Sequence, residues 1–234
     1  MTKRGIDISY CQKFVDWNTL EVDFVIMRAG YGKYAYQKDT MFESHYKNAC
    51  NKGIPKGAYW YSYAMSEAEA KKEAKACIEV LKGKKFEYPI YFDVEEPKQK
   101  ALGKAKVSAI VKAFCSTMEA AGYWVGIYTN ADWYDNVITD DIKTRYAIWI
   151  ANWGVPKPCI NGSYGIWQYK VGRIKGVSGD CDLDYGYVDY PTQIKKAGKN
   201  GYSKLSVQKP AKKKTLSMTC TVDGVTYTGI LTKK

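Results

Sequence analysis

The feature that most restricts the fold is an alternation of two hydrophobic periods. Arg4–Ser9, Asp23–Ala29 and Lys56–Tyr63 are short apolar runs of strand character. Helical spacing follows the second and third. Asp39 can cap a helix through Lys52, ended by Gly53. Ser66 and Glu69 form a capping-box pattern ahead of Ala70, Ala74, Cys77, Ile78 and Leu81. Tyr88-Pro89-Ile90-Tyr91-Phe92 begins a fourth strand, and Lys104–Ala121 repeats Val107, Ile110, Val111, Phe114 and Met118 on one helical face. Strands continue at Tyr123–Thr129, Arg145–Ala151, Tyr164–Tyr169 and Cys181–Asp184, with connections too short for full helices. Strands alternating with helices imply a parallel sheet with right-handed crossovers. Eight strands in about 190 residues is compact beside the roughly 250 of an ordinary β/α barrel. The expected fold is therefore α/β: a compact, irregular TIM-like β/α barrel with some outer helices missing.

In such barrels chemistry gathers at the C-terminal strand ends, and acids sit there in this chain. Asp7 ends strand one, Asp93 and Glu95 end strand four, and Asp182 lies in strand eight. Side chains alternate along a strand, so Asp93 and Glu95 point to the same side with Cα atoms about 6.6 Å apart. Two acids this close resist ionising together, which pushes their pKa values apart. One protonated and one charged carboxyl is what cleavage of a glycosidic bond requires. The structural alternative is a solvated strand end with a loop of acids. Closure of the sheet would bring Asp7 of strand one beside Asp182 of strand eight.

Composition removes other chemistries. His45 is the only histidine, reads as a surface or half-buried helical residue, and cannot supply a histidine-rich metal site or a triad without serving alone. The seven cysteines lack metal-ligand spacing, and most read as reduced core residues. No metal and no cofactor is expected. Met1-Thr2-Lys3-Arg4 leads directly into a strand with no apolar signal region, and no run could span a membrane. The expectation is synthesis in the cytoplasm and action elsewhere after release.

Net charge is +12, but residues 195–234 hold ten lysines against one acid, Asp223, and so carry +9 of it. The body is nearly balanced, so a nucleic-acid partner is not implied. The chain divides into a body over 1–194, a Lys-rich linker over 195–214, and an appendage over 215–234. In the appendage Leu216–Val222, Asp223-Gly224 and Val225–Leu231 read as a β-hairpin with an Asp-Gly turn. A lone hairpin is marginal. It must pack on the body, pair with another chain in self-association, or be the stub of a larger repeat.

The motifs in order are Gly5-Ile6-Asp7-Ile8-Ser9, Arg28-Ala29-Gly30-Tyr31-Gly32, Gly57-Ala58-Tyr59-Trp60-Tyr61 and Phe92-Asp93-Val94-Glu95. Gly126-Ile127-Tyr128-Thr129, Ile166-Trp167-Gln168-Tyr169 and Cys181-Asp182-Leu183-Asp184 follow. Together they make residues 4–191 resemble glycoside hydrolase family 25, the N,O-diacetylmuramidase type of lysozyme found in bacteria and phage lysis systems. The family usually has Asn where this chain has Asp184, and Val or a similar residue in place of Cys181. The resemblance implies hydrolysis, with retention, of the β-1,4 bond from N-acetylmuramic acid to N-acetylglucosamine in bacterial peptidoglycan. It carries general acid/base duty onto Glu95, charge stabilisation near the sugar C1 onto Asp93, and the rest of the acidic rim onto Asp7 and Asp182. Tyr61, Tyr128 and Gln168 fit either a sugar-binding floor or core packing. The basic tail would draw such an enzyme to anionic wall polymers.

Two rivals stand beside this reading. A chitinase-like glycosidase also ends a strand in Asp-x-Glu but carries further Asp at alternating positions upstream, where this chain has Tyr91 and Pro89. A catalytically weak cell-wall-binding module could use the same cleft, and the four acids argue against it. A polysaccharide deacetylase would need several histidines.

Overall fold

The computed structural model describes residues 1–204 and 216–231. They form two units, Met1–Lys204 and a C-terminal unit. In the first, the elements run β1 (Lys3–Ile8), β2 (Phe24–Tyr31), α1 (Phe42–Asn51), β3 (Lys56–Tyr61), α2 (Glu67–Leu81), β4 (Ile90–Asp93), α3 (Pro97–Lys100) and α4 (Lys104–Ala120). They continue β5 (Val125–Asn130), α5 (Ala131–Asn136), α6 (Asp140–Arg145), β6 (Ala147–Ala151), β7 (Ile166–Gly172), β8 (Cys181–Gly186) and α7 (Tyr190–Ala197). The eight strands close into a barrel in sequence order. Long helices cover only the connections after β2, β3 and β4, so the barrel is the expected irregular one.

Strands β1 to β7 are parallel, and β8 runs antiparallel to both β7 and β1. The reason is connection length: a parallel return needs a crossover of a dozen or more residues, and β7 and β8 are joined by residues 173–180. This reversal is invisible in the alternation pattern. It puts the start of β8, not its end, at the rim where β1 finishes.

The barrel interior is built from side chains at alternate positions. Phe24, Ile26, Tyr91, Tyr128, Trp149 and Ile166 form one buried cluster inside the sheet. Trp149 stands 5.2 Å from the Tyr91 ring and 4.4 Å from the Tyr128 ring, centroid to centroid. Such bulk fits only because other inward positions are glycine. A Cβ on Gly5 would lie 2.3 Å from the Phe24 ring, and one on Gly126 would lie 2.6 Å from Tyr91 and from the Ala147 carbonyl. Outside the sheet a larger apolar cluster, including Phe92 stacked on Phe114 at 3.9 Å, seats α2 and α4. The start of α2 is capped as the sequence pattern predicts, with Ser66 accepting from the Glu69 amide at 3.3 Å. The Glu69 carboxylate reaches back to the Met65 amide at 2.8 Å.

The body extends past residue 194, which corrects the expected linker boundary. Helix α7 ends at Ala197, with Tyr190 and Ile194 buried in the interior cluster. Asn200, buried at φ +54, then fastens the chain beneath the barrel. Its side chain donates to Tyr88 O at 2.9 Å and accepts from the Trp124 amide at 2.7 Å. Its backbone accepts from Phe86 and donates to Gly122. Asparagine tolerates the left-handed region better than other non-glycine residues, and its amide satisfies two buried backbone groups at once. Residues 195–204 are thus part of the body. The remainder of the expected linker, 205–214, lies outside the described residues.

In the C-terminal unit β9 (Leu216–Val222) and β10 (Val225–Leu231) pair antiparallel. Asp223 and Gly224 both take positive φ, +49 and +77, the turn geometry that a two-residue Asp-Gly hairpin requires.

Two smaller expectations also change. His45 is buried rather than at the surface or half-buried, held against Ser9 O at 3.3 Å and beside Trp17. Only Cys77, Cys115 and Cys181 are buried, while Cys11, Cys50, Cys159 and Cys220 are exposed, and all seven are free. Among the described residues no helix is long and apolar enough to cross a membrane.

Candidate active site

The C-terminal mouth of the barrel gathers the acids. Asp7 near the end of β1 pairs in register with Asp182 at the start of β8. Asp93, the last residue of β4, lies between Tyr61 of β3 and Tyr128 of β5. Glu95 follows two residues on, in a segment pinned to β5 by the Val94 amide to Tyr128 O and by the Thr129 hydroxyl to Val94 O. Asp7 and Asp93 are buried, at 5% and 3% exposure, whereas Glu95 and Asp182 are half-buried and reach solvent. The β8 reversal is what brings Asp182 to this end.

A chain of hydrogen bonds fixes Asp7. The Tyr128 hydroxyl donates to Gln168 Oε1 at 3.0 Å, and Trp153 Nε1 donates to the same oxygen at 3.2 Å. With its carbonyl oxygen occupied by two donors, Gln168 must present its NH₂ the other way, and Nε2 donates to Asp7 Oδ2 at 2.8 Å. Tyr128 and Gln168 are themselves buried. Their polar atoms are spent on orienting Asp7 instead of lining an open floor. Tyr61 is different: half-buried, it lines a hollow beside the mouth.

Burial dominates the electrostatics. It raises Asp7 well above the usual carboxylate range, with help from Asp184 and Asp182, against the Gln168 hydrogen bond. Burial and the Glu95 charge raise Asp93 likewise, while Arg28 pulls it down. Glu95 is raised by burial and by Asp182, and Asp182 by burial. The mouth therefore holds protons at a pH where free carboxyls have lost them. Asp93 Oδ1 is buried with no hydrogen-bond partner among the described residues. Of the Asp93 and Glu95 carboxylate oxygens it is the one that is both fully buried and without a donor among the described residues. A group able to give an N–H there would satisfy it and favour the carboxylate.

Two participants escaped the sequence reading. Asp184 is buried at 1% exposure, takes the Trp149 indole N–H at 2.8 Å, and has no donor for its second oxygen among the described residues unless a proton is shared with Asp7. Burial raises it well above its ordinary value, against the Trp149 bond. The signal was available, since Asp184 lies two residues from Asp182 and alternation puts both on the inner face. Arg28 in β2 follows Phe24 and Ile26 at the same alternate positions and so points into the mouth; an apolar-looking strand concealed it.

The order of these motifs along the chain can be compared with known proteins. Residues 6–177 match the profile of glycosyl hydrolases family 25. The chain belongs to that family. The family 25 domain is 30% identical over 187 residues to an autolytic lysozyme of Clostridium acetobutylicum, covering 77% of this chain and 55% of that protein. It is 27% identical over 198 residues to lysozyme M1 of Streptomyces globisporus, covering 76% of this chain and 66% of the relative. The chain thus spans between about half and two-thirds of the length of these relatives. The solved structure of the modular autolysin LytC from Streptococcus pneumoniae, in complex with a synthetic peptidoglycan ligand, superposes with a TM-score of 0.71 at 29% identity. That match covers 80% of this chain and 47% of LytC. Among the described residues of the family 25 chain no cluster of three or more His, Cys, Asp or Glu has the arrangement of a metal site.

Proposed function

We propose that this family 25 domain is a lysozyme, a 1,4-β-N-acetylmuramidase that hydrolyses the bond from N-acetylmuramic acid to N-acetylglucosamine in bacterial peptidoglycan with retention. The observation that carries the reading is the pair of unlike carboxyls on one segment. Glu95 is half-buried, raised in pKa and open to solvent; Asp93 is buried with one oxygen lacking a donor. A bound 2-acetamido sugar supplies the missing donor through its N–H. Asp93 then ionises and orients the acetamide, and Glu95 keeps the proton.

In the first step Glu95 protonates the leaving glycosidic oxygen as its bond to C1 breaks, and the substrate's own acetamide oxygen attacks C1. Asp93 stabilises the positive charge that develops on the acetamide. In the second step Glu95 takes a proton from water, which opens the cyclic intermediate at C1 from the face the leaving group occupied. Two inversions give retention. Asp182 favours protonated Glu95 and Asp7 completes the acidic rim, with Tyr128 and Gln168 holding Asp7 and Tyr61 meeting the sugar. Substrate assistance of this kind is an established exception to the two-carboxylate scheme. The polypeptide acts on the wall after release from the cell that makes it, and the +9 of residues 195–234 draws it to anionic wall polymers.

Mass spectrometry of fragments released from purified peptidoglycan tests the bond. New reducing ends on N-acetylmuramic acid are expected; reducing ends on N-acetylglucosamine, or cut peptides, overturn the assignment. A thiazoline mimic of the cyclised intermediate should inhibit tightly. A 2-fluoro-glycosyl ester on Asp93, seen by intact mass, would make Asp93 a nucleophile instead.

A further inference from the structure

Beside the acidic mouth lies a hollow of about 500 Å³ whose walls include Tyr10, Tyr31, Tyr61 and Tyr63, with Arg28 among them. Arg28 is built into place. Its Nε donates to Asp39 Oδ2 at 2.7 Å, and the Asp39 side chain is wholly buried. Asp39 also accepts from the Tyr10 amide at 3.0 Å and the Met41 amide at 2.8 Å, which fixes the carboxylate that fixes the arginine. The guanidinium lies over the Tyr10 ring, 4.6 Å from its centroid, and 5.9 Å from that of Tyr31.

Only Nε is used. Neither Nη group donates to any protein atom among the described residues, and the side chain retains 19% exposure. A counter-ion whose sole purpose was to neutralise Asp39 could turn its paired N–H groups onto that carboxylate. Here the single Nε contact leaves the planar fork free, edged by aromatic rings. A guanidinium fork matches a carboxylate bidentately, and tyrosine faces suit the apolar side of a pyranose. The hollow adjoins the reacting centre, since Tyr61 pairs in register with Asp93 and the Arg28 charge acts on Asp93.

We propose that this hollow is an anion-recognising subsite in which Arg28 grips a carboxylate carried on the 3-O-lactyl arm of a muramyl residue. The proposal rests on the muramidase reading above. The carboxylate has two sources of one chemistry: the lactyl acid itself in a bare glycan, or a carboxylate of the peptide stem attached to that arm. Neutral polymers of N-acetylglucosamine carry neither, so the subsite selects muramyl glycans at a point the four rim acids do not control.

The test compares soluble muramyl glycans of one length in three forms: free lactyl acid, lactyl acid converted to its neutral amide, and lactyl arm bearing a peptide stem. kcat/KM is measured for the unsubstituted protein, which needs no variant to fold, and for Arg28→Lys, which keeps the charge and loses the fork. A bidentate contact to a charged group predicts roughly a 10- to 100-fold preference for an anionic form over the amide, carried in KM. Arg28→Lys should shrink that preference about tenfold. Preference for the free acid assigns the lactyl carboxylate, and preference for the stem-bearing form over both others assigns the stem. Equal kcat/KM on all three forms overturns the subsite while leaving the muramidase reading in place. An Arg28→Lys loss of the same factor on every form also overturns it, because Arg28 would then act through Asp39 or Asp93 alone. Failure to cleave any of the three would refute the muramidase reading and the subsite with it.

Discussion

Glu73→Gln should stabilise this protein at neutral and alkaline pH and do little at pH 4. Glu73 lies on α2, buried beneath the segment that leaves β3 and carries Tyr63. One carboxylate oxygen accepts from the Tyr63 amide at 2.9 Å, and the other has no partner among the described residues. Gln99 braces the same segment, donating to Ser62 Oγ at 2.9 Å and Ala64 O at 2.8 Å. Burial raises the Glu73 pKa from 4.5 to about 7, with a smaller push from Glu69, against bonds from Tyr63 and Ser62 and the charge of Lys33. At about 1.4 kcal/mol per pH unit, ionising it in the folded state costs about 3 kcal/mol more than in the unfolded chain.

A folded pKa above the unfolded one means that the folded state binds more protons between them. Stability from this group is therefore full below pH 4.5, falls as pH rises towards 7, and stays low beyond it. Glutamine keeps an oxygen for the Tyr63 amide and carries no charge to desolvate. Urea unfolding at pH 4, 6 and 8 should give curves that nearly coincide at pH 4, with the Gln variant ahead by about 3 kcal/mol at pH 8. The other buried acids are common to both chains and cancel in the difference. A gap that does not widen with pH, or a Gln variant that is weaker at pH 8, refutes the reasoning.

Glu95→Gln should lower kcat by roughly 10²–10⁴-fold with an unchanged circular dichroism spectrum, because only the proton donor is lost; near-normal turnover would remove Glu95 from the acid/base role. Asp184→Asn takes away a charge that raises Asp7, so the Asp7 carboxyl carbon, followed by NMR, should titrate at lower pH, and an unmoved midpoint would show that the two acids do not interact. Asn200→Ala leaves Tyr88 O and the Trp124 amide without their partner and puts alanine at φ +54; chemical denaturation should show a loss of about 2–5 kcal/mol, and a loss under 1 kcal/mol would mean the anchor is dispensable. A chain ending at Lys204 should unfold at the temperature of the full chain and cleave soluble glycans equally, yet bind intact walls less well at low salt, the tail charge being screened as salt rises. Equal wall binding would deny the tail an electrostatic role.

Much of this architecture was legible because it depends on local periods. Alternating apolar runs and helical stripes marked all eight barrel strands and the two long helices α2 and α4, and Asp223-Gly224 marked the hairpin turn. Asp93 could be placed at a strand end from the sequence alone, since a strand's alternation is a property of the chain and not of its neighbours; Glu95, expected on the same strand, lies two residues past its end. The end of the body could not. Lys195, Lys196 and Lys199 look like linker, and the buried partners of Asn200 at Tyr88 and Trp124 are far away in sequence.

The sequence by itself determined which acids are available, that they sit at strand ends, and that one histidine cannot do the chemistry. Only the tertiary structure decided their company. The direction of β8 follows from the eight residues that connect it to β7, and that reversal seats Asp182 opposite Asp7. Which acids hold protons depends on burial and on charges brought together from β1, β2, β4 and β8. Arg28 read as one polar residue in an apolar strand. Barrel closure turned it inward, Asp39 took one of its nitrogens, and the tyrosines around it left the others free. Those outcomes come from contacts between residues distant in the chain, to which a local period is blind.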